Sequence, residues 1–148
     1  MSAVVVLDAG PLGLLTNPNN SPQAVACRAW LATLISVGRR VVLPEIADYE
    51  IRRELIRIAS HVAIANLDAF CSQLEYLPLS TVMMHSAAQL WATARNCGQP
   101  TAANAALDCD VILAAQALSL GIPVIVATGN LGHVARFVLA DIWQNILP

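Results

Sequence analysis

The chain has 148 residues, 57% of them hydrophobic and 12% charged, with a mean hydropathy of +0.60, a net charge of −2 and eight basic residues that are all Arg. That length fits a single domain, 1–148, and an apolar surplus beyond one core favours a homo-oligomer or a bound partner. No apolar run approaches the roughly 20 residues of a membrane span, the N-terminus lacks the basic region of a secretory signal, and no strongly basic footprint marks a nucleic-acid binder. The expectation is a cytoplasmic protein, with no membrane contact, whose chemistry sits in a local site.

Ala3-Val4-Val5-Val6-Leu7 reads as a buried strand ending on Asp8 and Ala9-Gly10-Pro11. Gly10 to Thr16 makes a short helical turn, and Asn17-Pro18-Asn19-Asn20 is a loop. Ser21-Pro22 opens a helix, with Ser as its cap and Pro in its first turn, that runs to about Gly38. Val41-Val42-Leu43 is a second strand. Pro44 leads into a helix from Glu45 to about Ser60, with an apolar stripe of Ala47, Ile51, Leu55, Ile58 and Val62, and another helix continues through Leu74.

Tyr76-Leu77 is a third short strand, and Ser80 caps a helix that ends near Gly98. Gln99 to Ala106 reads as a surface loop because Pro100 interrupts it. Asp108 to Leu120 is a helix apolar almost all round, closed by Gly121 and therefore buried. Pro123 to Ala127 is a fourth strand with Thr128-Gly129-Asn130 as its exit, and Val134 to Ile146 carries a last short helix or strand. This alternation predicts an α/β fold with a parallel sheet between two layers of helices.

Three carboxylates stand out. Asp8 sits at the carboxyl end of a strand, where open parallel sheets bind ligands. Glu50 borders the apolar stripe of its helix, either looking into a cleft or pairing in solvent with its neighbours. Asp110 lies at the start of a buried helix, as a cap or as a cation ligand, and Asp108 reads as a cap. Brought to one cleft, such acids hold a hard divalent ion, Mg²⁺ or Mn²⁺, and the chemistry that follows is phosphodiester hydrolysis. Cys27, Cys71, Cys97 and Cys109 show no metal or disulfide spacing and read as reduced, mostly buried side chains. His133 reads as a surface or packing residue, and Trp30, Trp91 and Trp143 as core or interface anchors. Arg53 and Arg57 fall opposite the apolar stripe, facing solvent or an acidic partner.

The order of these motifs resembles the PIN-domain nucleases, in particular the VapC-like toxins of type II toxin–antitoxin systems. The resemblance covers essentially the whole chain. It rests on Val5-Val6-Leu7-Asp8-Ala9-Gly10, on Tyr49-Glu50-Ile51-Arg52-Arg53-Glu54-Leu55, on Asp110 to Leu118, and on Val126-Ala127-Thr128-Gly129-Asn130. It implies a PIN-like three-layer sandwich with a short central parallel sheet, commonly dimeric. It also implies a Mg²⁺- or Mn²⁺-dependent endoribonuclease that cuts single-stranded or structured RNA, with Asp8, Glu50 and Asp110 as metal ligands and catalytic acids and a cognate antitoxin as partner.

The chain departs from the family where a further Asp usually follows the fourth strand; Asn130 and His133 stand there instead. An amide removes one negative charge and weakens a second metal or the water-activating step. Thr128 and Asn130 either orient the site water or close the turn, and Asp108 is a substitute carboxylate if it is not a cap. The alternative expectation is a catalytically weakened PIN-like protein acting through dimerisation or partner binding, with little metal affinity.

Overall fold

A computed structural model describes residues 2–98 and 104–148. Its centre is a five-stranded sheet in the order β3-β2-β1-β4-β5, with every pairing parallel. The strands are β1 (Val4–Leu7), β2 (Val41–Pro44), β3 (Glu75–Leu77), β4 (Val124–Thr128) and β5 (Ala140–Ile142). β1 is central, pairing Val5 with Val41 on one side and Val4 with Val124 on the other. Every residue of β1 and β2 is buried. That is why both strands read as unbroken apolar runs: a parallel strand covered on both faces has no polar side.

The helices are α1 (Ala9–Thr16), α2 (Pro22–Ser36), α3 (Glu45–Arg57), α4 (His61–Gln73), α5 (Thr81–Asn96), α6 (Asn104–Ser119) and α7 (Leu131–Val134). On one face of the sheet, Val5, Leu7, Val41 and Leu43 pack against α1, α2 and α4. On the other, Val4, Val6, Val42 and Val126 meet α6 and α7. Leu7, Leu12, Leu34, Leu43 and Leu113 are fully buried, each contributing roughly 1.5–3 kcal/mol by leaving water. None of the described helices is long and apolar enough to cross a membrane.

Two buried polar contacts set the frame of the cleft. Gln116 on α6 is completely buried; its Oε1 accepts from Ile46 N at 3.0 Å and its Nε2 donates to Leu77 O at 2.8 Å. One side chain thereby ties α6 to the first turn of α3 and to the exit of β3. At the opposite end of the sheet, Trp30 Nε1 donates to Ile146 O at 2.8 Å, and its ring meets that of Trp143 at 5.5 Å. These two indoles are structural anchors.

Several expectations are corrected. The stripe of α3 holds at Ala47, Ile51 and Leu55, but Ile58 and Val62 are 53% and 61% exposed. The helix stops at Arg57, and Ala59, at φ 54°, redirects the chain into α4. Asn104 to Ala106 are helical rather than loop, while 99–103 lie outside the described residues. Asp108 and Asp110 therefore stand in the second turn of α6, and neither caps it. Gly121 follows that helix at φ +65°, as its expected C-cap role requires. The segment Val134 to Ile146 is both helix end and strand, since β5 adds to the edge at Val126↔Ala140. All four cysteines are free; Cys27 and Cys109 are buried, Cys71 is half-buried and Cys97 is exposed.

Candidate active site

From β1 the sheet grows outward through β2 and β3, and from β4 it grows the other way through β5. Such a reversal leaves a crevice outside the carboxyl ends of the two central strands. Asp8 and Thr128 stand at its mouth. Asp8 N donates to Ala127 O at 2.9 Å, Asp8 Oδ1 accepts from Ala9 N at 2.7 Å, and Asp8 Oδ2 accepts from the Thr128 hydroxyl at 2.8 Å. Thr128 is buried, and its Oγ1 also accepts from Asn130 N at 3.0 Å. The carboxylate is therefore oriented by main chain and by a buried hydroxyl before any ligand arrives. Gly10 makes room for this arrangement: a Cβ there would lie 3.1 Å from Gly129 N, so the first turn of α1 and the β4 exit touch backbone to backbone.

Glu50 enters from α3 and Asp110 from α6, and electrostatics records their proximity. Burial pushes the Glu50 carboxyl up to about 7; the charge of Asp8 raises it further, Arg53 opposes, and Asp110 adds to the rise. Burial likewise lifts Asp110 to about 6, reinforced by Asp8 and opposed by His133 and Arg136. Asp8 is also raised, first by burial, with the Thr128 and Ala9 donors pulling it down. Glu50 and Asp110 therefore hold their protons to higher pH than ordinary carboxyls, with the charge of Asp8 adding to burial in both. Asp110 Oδ2 is buried with no hydrogen-bond partner, and so is His133 Nδ1.

The donor set is oxygen-rich and electron-rich, which suits a hard cation, and Asp110 Oδ2 lacks the partner such a cation would provide. Among the described residues, no three His, Cys, Asp or Glu side chains are already drawn together as a closed ligand set. An ion at this crevice would take much of its shell from water, as Mg²⁺ commonly does.

The flanks differ from the sequence expectation. Arg53, placed on the solvent side by its helical position, lies close enough to Glu50 to lower its pKa; the i,i+3 spacing was the available signal. Arg136 acts on Asp110 from the segment after α7, a proximity created by packing alone, with no local motif to announce it. Arg52 turns away, bonding Asp48 at 2.9 Å and Asp68 at 2.8 Å, while Tyr76 donates to Asp48 at 2.8 Å. Arg57 pairs with Glu54. Asn130 Oδ1 accepts from Gly132 N at 2.9 Å and so caps α7. Asp108 is exposed and borders a shallow hollow of about 340 Å³ with Met84 and Trp91 between α5 and α6.

No sequence-family model matches the chain, and no curated protein matches it in sequence. Solved structures do match in shape. A chain of VapBC2 from Rickettsia felis, determined bound to a DNA fragment from their promoter, superposes with a TM-score of 0.72 at 15% identity, over 95% of this chain and 98% of its own. A chain of DNA-bound VapBC from Salmonella typhimurium gives 0.70 at 23% identity, over 96% and 99%. The fold is PIN-like. A chain of FitAcB from Neisseria gonorrhoeae agrees, with 0.69 at 21% identity over 97% and 100%. Within this PIN-like architecture Asp8 stands at the crevice between β1 and β4, and its charge reaches Glu50 on α3 and Asp110 on α6.

Proposed function

We propose that this chain is a Mg²⁺- or Mn²⁺-dependent endoribonuclease that hydrolyses phosphodiester bonds of single-stranded RNA, and that it is the toxin of a toxin–antitoxin pair. The observation that carries the reading is that the Asp8 carboxylate, at the sheet's reversal point, acts on Glu50 from α3 and on Asp110 from α6. A bound divalent ion would polarise a phosphate oxygen and acidify a water. Asp8, Asp110 and Glu50 would hold it. Asp8 is the most rigidly placed of the three, because Thr128 and Ala9 fix both its oxygens. Glu50, at about 7, is suited to accept a proton from the attacking water near neutral pH. Arg53 and Arg136 flank the acids with guanidinium groups, whose forks match phosphate oxygens. The PIN-like fold shared with VapBC and FitAcB chains supports the toxin assignment and a cognate antitoxin, and the apolar surplus of the chain supports a homodimer.

The test is cleavage of a mixed single-stranded RNA pool with Mg²⁺, Mn²⁺ or EDTA, comparing the wild type with Asp8→Asn. Metal-dependent cutting that is lost in the variant supports the reading; no cutting by the folded, partner-free protein overturns it. A second reading, a weakened PIN-like protein kept for partner binding, is favoured by Asn130, whose side chain is committed to the α7 cap. It predicts a folded protein in which Mn²⁺ affinity is negligible and unchanged by Asp8→Asn. Light scattering that shows a monomer at high concentration would remove the dimer from either reading.

A further inference from the structure

We propose that Tyr49 and Arg53 form a nucleotide-binding shelf beside the carboxylates, with the Tyr49 ring stacking an unpaired base and Arg53 holding the adjoining phosphate. The inference rests on the nuclease reading and specifies how a single strand is held there.

The shelf is built by the geometry of α3. Arg53 is four residues beyond Tyr49 and three beyond Glu50, so one guanidinium neighbours both side chains. Its Cζ lies 5.0 Å from the centroid of the Tyr49 ring, a cation–π distance. Its charge also reaches Glu50, whose carboxyl it pulls down.

Tyr49 is 54% exposed, although most of its helix neighbours on the sheet side are covered. An exposed ring stiffened by an arginine, one residue from an acid of the site, offers a π-face to any base and is indifferent to its sequence. A duplex would not use it, because its bases are already stacked.

The arginine inventory points the same way. Arg28, Arg39, Arg40, Arg52 and Arg57 donate to carbonyl or side-chain oxygens elsewhere in the fold. Arg95 lies over Trp91. In a chain of net charge −2 without lysine, Arg53 is thus a rare cation placed next to the acids on an open surface.

The experiment follows binding of a fluorescein-labelled single-stranded RNA hexamer by anisotropy, with Ca²⁺ replacing Mg²⁺. A 2-aminopurine copy of the hexamer reports base stacking, and cleavage is measured separately with Mg²⁺ or Mn²⁺. Tyr49→Ala is expected to weaken binding about ten-fold and to abolish the 2-aminopurine quenching, while Tyr49→Phe retains both. Arg53→Gln should reduce the slope of log affinity against log salt by about 0.7, one phosphate contact on a single strand. Arg57→Gln, on the solvent side of the same helix, should leave all readouts unchanged. Wild-type binding and quenching in Tyr49→Ala would overturn the shelf alone; were that variant to lose only association with a protein partner, the surface would be a protein contact. A wild type that neither binds nor cuts the hexamer would overturn the nuclease reading and the shelf together.

Discussion

Asp48 and Glu50 leave α3 two residues apart and meet opposite surroundings. Asp48 accepts from Arg52 at 2.9 Å and from Tyr76 at 2.8 Å, and Arg52 reaches on to Asp68, so the carboxylate is absorbed into a network joining α3, α4 and β3. Burial raises the Glu50 pKa to about 7, with the charges of Asp8 and Asp110 adding to the rise against the single opposing charge of Arg53. One acid stabilises the fold through its partners, whereas the other is held in a place that disfavours its ionisation. Local repulsion of that kind persists where surrounding packing fixes the groups, and it is the signature expected of a site that works on a cation or a proton. The same helix thus carries a structural acid on one side and a candidate reactive acid on the other.

The sharpest way to break this contrast is to neutralise each side in turn. Asp8→Asn or Asp110→Asn should cut RNA cleavage by at least about 100-fold while leaving the circular dichroism spectrum unchanged, since a ligand outweighs an outer-shell partner. Retention of cleavage in either variant would remove the carboxylate cluster from the chemistry. Asp48→Ala should do the reverse. By removing one of Arg52's two carboxylate partners and leaving the Tyr76 hydroxyl without its acceptor it should cost about 2 kcal/mol in urea unfolding, with cleavage per folded molecule unchanged.

The pH dependence sharpens the comparison further. Glu50 and Asp110 are raised to about 7 and about 6 from ordinary values of 4.5 and 3.8, so the folded state binds more protons than the unfolded chain in between. Their contribution to stability is complete below the ordinary values and is lost as pH climbs through about 6 to about 7. Metal-free protein should therefore melt higher at about pH 5 than at about pH 8, and Glu50→Gln should flatten that slope. Added Mn²⁺ should restore the melting temperature at the higher pH and bind more tightly there, because its ligands must be deprotonated. A slope unaltered by Glu50→Gln would show that other groups carry it. The smallest expected effect is Tyr76→Phe, which removes one donor to Asp48 and should cost about 1 kcal/mol with cleavage intact.

Much of this was legible in the sequence, and what was not has physical causes. The apolar runs before Asp8 and before Thr128 announced buried parallel strands, and Ser21-Pro22 and Ser80 marked helix starts that the structure bears out: their hydroxyls accept from Ala24 N and Met83 N. Those signals are local. The sequence leaves β5 open as helix or strand because Ala140-Asp141-Ile142 is three residues long with an acid at its centre, and only its pairing with β4 makes it a strand. The start of α6 was misplaced because Pro100 suggested a longer loop. Asp108 consequently looked like a cap, yet it is an exposed residue on the α5 side. Arg136 and Gln116 carried no local pattern, since one owes its place to the packing of α7 on α6 and the other to bonds reaching back to Ile46 and Leu77. Strand-end and helix positions single out the acids at Asp8, Glu50 and Asp110, and the motif resemblance then reinforces them; that the charge of Asp8 reaches the other two needed the fold.

Gly10 and Gly129 come together where α1 leaves β1 and the chain leaves β4, so closely that a Cβ on Gly10 would lie 3.1 Å from Gly129 N. What is specified at that point is missing volume. A comparison that scores side chains finds little to read in two of the chain's seven glycines, while a comparison of shapes sees the crevice at once. A scaffold whose key constraint is empty space can exchange most of its letters and keep its shape, and this chain stands at 15–23% identity to folds it nearly superposes on.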